Sequence, residues 1–379
     1  MTITMIEPKT LADLATPCLV LDAAVMERNI ARMRAQLAPL GVTLRPHLKT
    51  CKSVEVARLM MASDAGPATV STLKEAEQFA AAGVRDIVYA VGISADKLPR
   101  VQALREQGVD LTVLLDTVEQ AEAVAAFGAR IPALIEIDSD GHRAGVSPGD
   151  GATLVAIGRA LGANLRGVLT HAGGSYGAKG AAALTAFAEQ ERAAIVKAAE
   201  TLRGAGLPCP VVSVGSTPTA LHAADLTGVT EVRAGVFVFN DLVMAGLGVC
   251  GVADIAVSVL ATVIGFQKAK GWILVDAGWM AMSRDRGTQA QAIDQGYGLV
   301  CDLEGRAYGD LILVGANQEH GIIGLREGAA GTLPDLAIGD RVRILPNHAC
   351  ATAAPYPLYN VVRGTSPLIE ATWPRFGGW

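Results

Sequence analysis

Lys49 lies in RPHLKTCKS (residues 45–53), between the alternating apolar segment GVTL and the amphipathic run VEVARLMM. A lysine directed into a protein-lined mouth can be desolvated enough to lower its pKa, which makes its amine a nucleophile toward an aldehyde. The plain alternative is a solvated surface lysine, the commoner fate. Its company favours the reactive reading. In VSVGSTPTA, Gly215, Ser216 and Thr217 offer backbone N–H groups and two hydroxyls at the start of a helix, an arrangement that suits a phosphate group. The RAGV turn, Arg233 to Val236, supplies a second glycine-flanked backbone. An amine-reactive lysine facing a phosphate site points to pyridoxal 5'-phosphate (PLP). With that lysine present, stacking on such a ring is the better reading of His171 than an internally satisfied core histidine. Arg233, sited to meet a pyridine nitrogen, would keep it unprotonated, because a permanent cation opposes a second positive charge. The ring would then be a weaker electron sink, and a reaction at Cβ would need help from elsewhere.

That help has a candidate in ILPNHACAT, where His348 and Cys350 stand two apart. On a strand they would share a face, and imidazole plus thiolate is a ligand pair suited to zinc, with manganese or cobalt as alternatives. Zinc signatures normally supply three or four ligands, so an isolated HxC is more often accidental; a catalytic metal, however, leaves positions for water and substrate. A substrate hydroxyl on such an ion leaves more readily, because the metal takes up the charge developing on oxygen. GANQEHG adds Gln318, Glu319 and His320, which either orient a ligand and relay protons or form only a turn between two strands.

Elements must bring these residues together. From residue 18 onward, short aliphatic runs alternate with amphipathic helical stretches, the pattern of parallel strands joined by crossover helices. After CLVLD and a helix near 23–40 come VTLRPHL, ATVST, DIVYAV, DLTVLLD, PALIEID, LRGVLTH, PVVSVGS and EVRAGVFV, eight strand candidates with the size of a TIM-type (β/α)8 barrel. Active sites of such barrels lie at the carboxyl ends of the strands. Lys49 would end the first strand, Ser71 and Thr72 the second, and Glu136, Asp138 and Arg143 would surround the end of the fifth. His171 would end the sixth, Gly215 to Thr217 the seventh, while Arg233 and Gly235 would lie on the eighth. After residue 250, IAVSVLATVIGFQ, GWILVDAG, YGLVCDL, DLILVGA and RVRILP follow one another without helices, which predicts an antiparallel β domain. The expected α/β architecture is therefore a PLP-binding barrel over 22–250 and a β domain over 251–379 carrying the metal pair. Residues 1–21 would join the β domain through CLVLD.

Composition bounds the function. Among 379 residues, 32 basic against 37 acidic side chains give a formal charge of −5 without a basic block, which argues against a nucleic-acid partner. The opening MTITMIEPKTLADL lacks the basic and continuous apolar regions of a secretory signal. The most apolar long run, Ile255 to Phe266, is too short to span a bilayer. Cysteines 18, 51, 209, 250, 301 and 350 are scattered without a CxxC pair, which is cytosolic usage. A cytoplasmic enzyme acting on a small molecule is the expectation.

Taken together, RPHLKT, VSTLKEAEQFAAAG, EIDSDGHRAGV, VLTHAGGSYG, VSVGSTPTA, EVRAGVFVF, VDAGWMAMSRDRG, GANQEHG and LPNHACAT resemble the D-serine dehydratase and D-threonine aldolase family of alanine-racemase-fold PLP enzymes, from about Thr16 to the C-terminus. The branch that dehydrates 3-hydroxyaspartate is nearest. The resemblance implies a homodimer in which the β domain completes a partner's active site, and a divalent metal. It implies that Lys49 carries the cofactor and takes the Cα proton of a D-amino acid. His171 would face the ring, Arg233 the pyridine nitrogen, and Ser216, Thr217, Gly235 and Val236 the phosphate. Tyr176 would lie near cofactor or substrate, and His348 and Cys350 would hold the metal. Aldolases of the family tend to carry aspartate where Cys350 stands, a harder ligand suited to manganese, so cysteine tilts the expectation to zinc and dehydration. The expected reaction turns D-threo-3-hydroxyaspartate into oxaloacetate and ammonia, with D-serine and D-threonine as possible poorer substrates. Arg143, Arg284 and Arg286 are each candidates to grip a second carboxylate, or else salt-bridged structural arginines. The rivals are an aldolase releasing glycine and an aldehyde, and a PLP-binding protein without turnover. The latter leaves the stretch after residue 250 without a task.

Overall fold

The first apolar run, Cys18–Asp22 (β1), does not pair with the strands that follow it in sequence. Those strands form a sheet of their own in the computed structural model, which describes residues 10–128 and 130–379. Thr43–Leu44 (β2), Ala68–Val70 (β3), Asp86–Gly92 (β4), Asp110–Leu115 (β5), Ala133–Ile137 (β6), Leu165–Thr170 (β7), Val211–Val214 (β8) and Glu231–Val232 (β9) align in the order β2-β9-β8-β7-β6-β5-β4-β3. Every ladder in it is parallel. Beyond β2, His47 bridges Thr69 in parallel, with the Leu48 N–H donating to the Thr69 carbonyl at 2.8 Å and the Thr69 N–H to the Pro46 carbonyl at 2.9 Å. Strands buried on both faces need near-continuous apolar runs rather than alternation, and Ala133–Ile137 is buried at every position, its one polar residue, Glu136, included.

The carboxyl ends of the strands lead into capped helices. Thr72 accepts the Glu75 N–H at the start of Leu73–Ala81, Thr117 forms a capping box with Gln120 before Val118–Ala126, and Ser216 does so with Thr219 before Thr217–His222. Ser71 and Thr72 therefore serve the helix that follows them, since the Ser71 N–H also donates to Glu75 at 2.8 Å. Asp138 accepts the Gly141 N–H at 2.8 Å and closes a turn.

Two runs are shorter as strands than the sequence pattern predicts. Only Glu231–Val232 of EVRAGVFV pairs, and Val236–Val238 turns into a 3-10 helix, so Arg233 and Gly235 lie past the strand rather than on it. In VTLRPHL only Thr43 and Leu44 hold strand register with β9, although the N–H groups of Arg45 and His47 go on donating to the Val232 and Ala234 carbonyls at 2.8 and 2.7 Å. Lys49 accordingly sits on a turn over 48–51 instead of closing a strand.

Chain contacts gather residues 30–237 with 378–379 into one unit and residues 10–29 with 238–377 into the other. In the second, Val257–Gln267 (β10), Trp272–Val275 (β11), Gly298–Cys301 (β12), Ala307–Ala316 (β13), Gly321–Leu325 (β14), Arg341–Pro346 (β15), Leu358–Val362 (β16) and Ala371–Pro374 (β17) join β1 in the order β11-β14-β13-β12-β15-β10-β1-β16-β17. Since β10 also pairs with β11, six antiparallel strands close into a ring, and β1, β16 and β17 extend it. The expected antiparallel sheet thus carries one parallel pairing, β1 with β16, and three strands the pattern did not disclose: β14, β16 and β17. Of the segment 1–21 assigned to this sheet from sequence, residues 1–9 lie outside the described residues. Among the described residues no helix is long and apolar enough to cross a membrane.

Asp22 ties the N-terminal strand into this unit. Its Oδ1 accepts the N–H groups of Ala24 at 2.9 Å, Val25 at 3.2 Å and Gly364 at 3.0 Å, and the residue is 6% exposed. Asp22→Ala strips three donors of their acceptor and is expected to cost about 2–3 kcal/mol, measured by urea denaturation. Asp22→Asn keeps one acceptor oxygen and is expected to lose less.

Candidate active site

Lys49 is exposed on a turn whose flanks, Leu48 and Cys51, are fully buried. The Cys51 thiol donates to the Leu48 carbonyl at 3.3 Å, so this cysteine packs and closes the turn. Lys52, held at φ +44°, turns away to pair with buried Glu75 at 3.1 Å. The Lys49 N–H donates to His47 Nδ1 at 3.5 Å. Burial, and then the charges of Lys49 and Arg233, hold His47 well below the usual imidazole range.

His171 follows β7 and makes a 2.7 Å hydrogen bond from Nδ1 to the Gly215 carbonyl. A carbonyl only accepts, so Nδ1 carries the proton and Nε2 keeps its lone pair. Burial pushes His171 down to about 3, against the Gly215 bond and with help from the charges of Lys49, Arg233 and Arg143. Tyr176, on the 3-10 turn Gly173–Gly177, is 38% exposed, and its ring centroid lies 6.3 Å from that of His171 with a tilt of 49°.

Ser216 and Thr217 are buried, and their hydroxyls are already engaged. Ser216 Oγ accepts the Thr219 N–H at 3.2 Å and lies 3.1 Å from Ser175 Oγ. Thr217 Oγ1 accepts the Phe237 N–H at 3.2 Å, which leaves its own O–H to donate. Both glycine positions are required. Gly215 has φ +152°, and a Cβ there would lie 1.8 Å from the Arg233 carbonyl oxygen; at Gly235 a Cβ would meet the His47 carbonyl at 2.7 Å. Val236 opens the 3-10 turn beside Gly235.

Arg233 is 5% exposed and bonds Ser213 Oγ at 2.9 Å and the Thr170 carbonyl at 2.6 Å. Ser213 passes its own hydrogen to Glu231 at 2.7 Å, and Glu231 accepts from Arg45 at 2.8 Å, which also grips Asp86. Burial pulls the Arg233 guanidinium down to about 10, opposed by Glu231, Glu191 and Glu136, so it remains a cation at neutral pH. Arg143 pairs with buried Glu136 at 3.1 Å.

Sequence reading missed Glu191. It lies on the helix Ala181–Gly204, 2% exposed, and its Oε1 accepts the N–H groups of Gly215 at 2.9 Å and Ala172 at 3.1 Å while Oε2 accepts the Thr219 hydroxyl at 2.8 Å. The signal was available. Glu191 falls in register with the buried stripe Leu184, Ala188, Ile195, Ala198 and Leu202, where a carboxylate is out of place unless it has work.

In the β unit, His348 is not on a strand. It caps the short helix Ala349–Ala353 after β15, and Cys350 lies within that helix, so the two-residue spacing places them across a turn rather than on one face of a sheet. His348 Nδ1 meets Asp285 at 2.7 Å, and this bond together with Cys350 pushes the imidazole up to about 11. Buried Asp241 accepts the Ala349 N–H at 3.1 Å and the Met244 N–H at 2.9 Å, which pins the helix start. Among the described residues no three His, Cys, Asp or Glu side chains converge as a metal cage. Soft thiolate plus imidazole nevertheless suit zinc, and Asp285 is the carboxylate partner that metal-binding histidines favour. Gln318, Glu319 and His320 form the exposed turn between β13 and β14, with the Asn317 N–H donating to the His320 carbonyl at 2.8 Å. In MAMSRDRG, Arg284 stacks over Trp279 and Arg286 pairs with Asp294 at 2.6 Å, so the aspartate between them is the member that reaches His348.

The family model of the alanine racemase N-terminal domain matches residues 21–242, and that of a putative serine dehydratase domain matches residues 256–362. D-threo-3-hydroxyaspartate dehydratase of Delftia sp. (strain HT23) is 56% identical over 98% of this chain and 99% of its own. Its solved structure superposes with a TM-score of 0.94, covering 98% of this chain and 100% of that one. Solved variants of D-threo-3-hydroxyaspartate dehydratase include a histidine-to-alanine exchange and, two positions along, a cysteine-to-alanine exchange in a metal-free form. D-serine dehydratase of Schizosaccharomyces pombe (strain 972 / ATCC 24843) is 30% identical over 98% of this chain and 94% of its own. A solved D-threonine aldolase from Filomicrobium marinum is 25% identical, with a TM-score of 0.80 over 99% and 98% of the two chains.

The His171 environment has a pH signature. Its folded pKa of about 3 lies below the ordinary value of 6.5, so between these limits the unfolded chain binds a proton that the folded chain refuses. Stability should therefore fall as pH drops through this window, by up to about 1.4 kcal/mol per pH unit from this group. In the cofactor-free protein the His171 ring resonances should stay unshifted from pH 8 to pH 5; a midpoint near 6 by NMR would contradict the assignment.

Proposed function

The chain belongs to the alanine racemase N-terminal domain family, and from that membership we propose a PLP- and divalent-metal-dependent lyase that dehydrates D-threo-3-hydroxyaspartate to oxaloacetate and ammonia. One observation carries the substrate and the reaction: 56% identity across 98% of the chain to an enzyme of that name. The cysteine at 350 agrees with it, because a soft ligand favours zinc, whose task suits departure of a hydroxyl. In this reading the parallel sheet is a closed (β/α)8 barrel, for which the His47–Thr69 bridge speaks. The working form is a homodimer, a reading supported by family membership.

The residues divide the work by what each atom has free. Lys49, with its amine exposed above a buried turn, holds the cofactor and exchanges the proton at Cα. His171, a neutral imidazole fixed by Gly215 with Tyr176 beside it, would lie against the face of the cofactor ring. Arg233, a buried cation already bonded to Ser213 and Thr170, would keep a proton off a pyridine nitrogen held beside it. Ser216, Thr217 and the backbone at Gly215, Gly235 and Val236 take the phosphate. His348 and Cys350 hold the metal, and Asp285 on Nδ1 leaves Nε2 as the ligating nitrogen. The paired histidine and cysteine variants of the relative, one of them metal-free, support that assignment. Bound PLP supplies the electron sink that acidifies the Cα hydrogen, and the bound metal stabilises the departing hydroxyl. Arg143 is the proposed contact for substrate carboxylate, with Gln318, Glu319 and His320 as further candidates from the β unit.

Purified enzyme supplied with PLP and zinc should release oxaloacetate and ammonia in equal amounts from D-threo-3-hydroxyaspartate. Glycine and glyoxylate as the only products would replace dehydration by aldol cleavage. Lys49→Ala should lower kcat by about 10³-fold or more and abolish the pyridoxyl adduct that borohydride fixes on the peptide carrying residue 49. Cys350→Ala should copurify without zinc, with activity lost in step.

A further inference from the structure

One buried carboxylate ties together two backbone N–H groups and a side-chain hydroxyl in segments that the proposed cofactor site needs. Oε1 of Glu191 takes the N–H of Ala172, next to His171, and the N–H of Gly215, whose carbonyl in turn holds His171 Nδ1 at 2.7 Å. Oε2 takes the Thr219 hydroxyl, and Thr219 Oγ1 accepts the Ser216 N–H at 3.2 Å and lies 2.9 Å from Ser216 Oγ. The His171 ring and the Ser216–Thr217 loop thus share a single reference point on the helix Ala181–Gly204. Both residues are shielded from bulk solvent, Glu191 being 2% and Thr219 1% exposed.

We propose that Glu191 is a positioning residue for the cofactor, setting the ring contact at His171 and the phosphate contact at Ser216–Thr217 in one fixed relation. A core carboxylate with only a packing role would be served as well by an apolar side chain, whereas this one spends both oxygens on the two loops. The proposal rests on the reading of this site as the PLP site.

Glutamine keeps one acceptor for the two N–H groups, and its amide can donate to a Thr219 hydroxyl that reverses its role; methionine offers no comparable acceptor. Titrating cofactor-free enzyme with PLP, followed by visible absorption and by visible circular dichroism of the bound ring, should give a dissociation constant raised about 10- to 100-fold in Glu191→Met. Glu191→Gln should stay within about threefold of the parent by the same reasoning. Where Glu191→Met does not fold, Glu191→Asp replaces it; one methylene shorter, it cannot span all three donors and should show the same weakened binding. Thermal melting of the cofactor-free proteins gives the stability readout separately. PLP affinity and dichroism unchanged in Glu191→Met or Glu191→Asp, with only melting lowered, overturns the proposal and leaves Glu191 structural. Glutamine as impaired as methionine overturns it too, because charge rather than bridging geometry would then matter. A parent protein that binds no PLP sinks the reading of the site itself, and that result is distinct from both.

Discussion

A guanidinium without water around it must receive its counter-charge from the fold, and Arg233 is such a group. The carbonyl of Thr170 and the hydroxyl of Ser213 meet it directly, and Ser213 relays the demand to Glu231, which Arg45 and Asp86 then balance. That chain of partners runs from β7 through β8 and β9 to the residues after β2. The register of four neighbouring strands is therefore fixed by polar matching as well as by apolar burial. Removing Ser213 or Glu231 would leave a buried charged group short of a partner, which makes the arrangement specific to one alignment of the sheet.

Much of this was legible in the sequence, because apolar runs of strand length separated by capped helices admit few topologies. VGSTPT announced a helix start and a glycine backbone, and both are there. What stayed hidden follows from physics that single-chain patterns do not encode. The strand at 231–232 ends early because the backbone at Gly235 packs against the His47 carbonyl, a contact between segments far apart in sequence. The histidine and cysteine of LPNHACAT were expected on a strand, yet the Asp241 carboxylate caps the Ala349 N–H and turns the chain into a helix. Asp285 was overshadowed by the arginines flanking it. Glu191 went unseen because an acidic residue in a helical stripe attracts no notice until its acceptors are matched to donors elsewhere.

The two histidines proposed to serve cofactors sit in opposite electrostatic surroundings. Around His171 the surroundings refuse a proton, so the imidazole is neutral and ready to lie against a ring. Around His348 the surroundings invite one, so a metal ion proposed for that nitrogen would have to displace a proton to bind there. Identical side chains thus acquire different chemistry from the carbonyl that faces one and the carboxylate that faces the other.

The placement of β1 between β10 and β16 bears on biosynthesis. The ribosome delivers this strand well before its neighbours, residues 257–267 and 358–362. An apolar segment must therefore wait, unpaired, while more than two hundred intervening residues are made. Such distant closure slows assembly and leaves a sticky edge exposed in the nascent polypeptide, a stage at which chaperones would have something to hold.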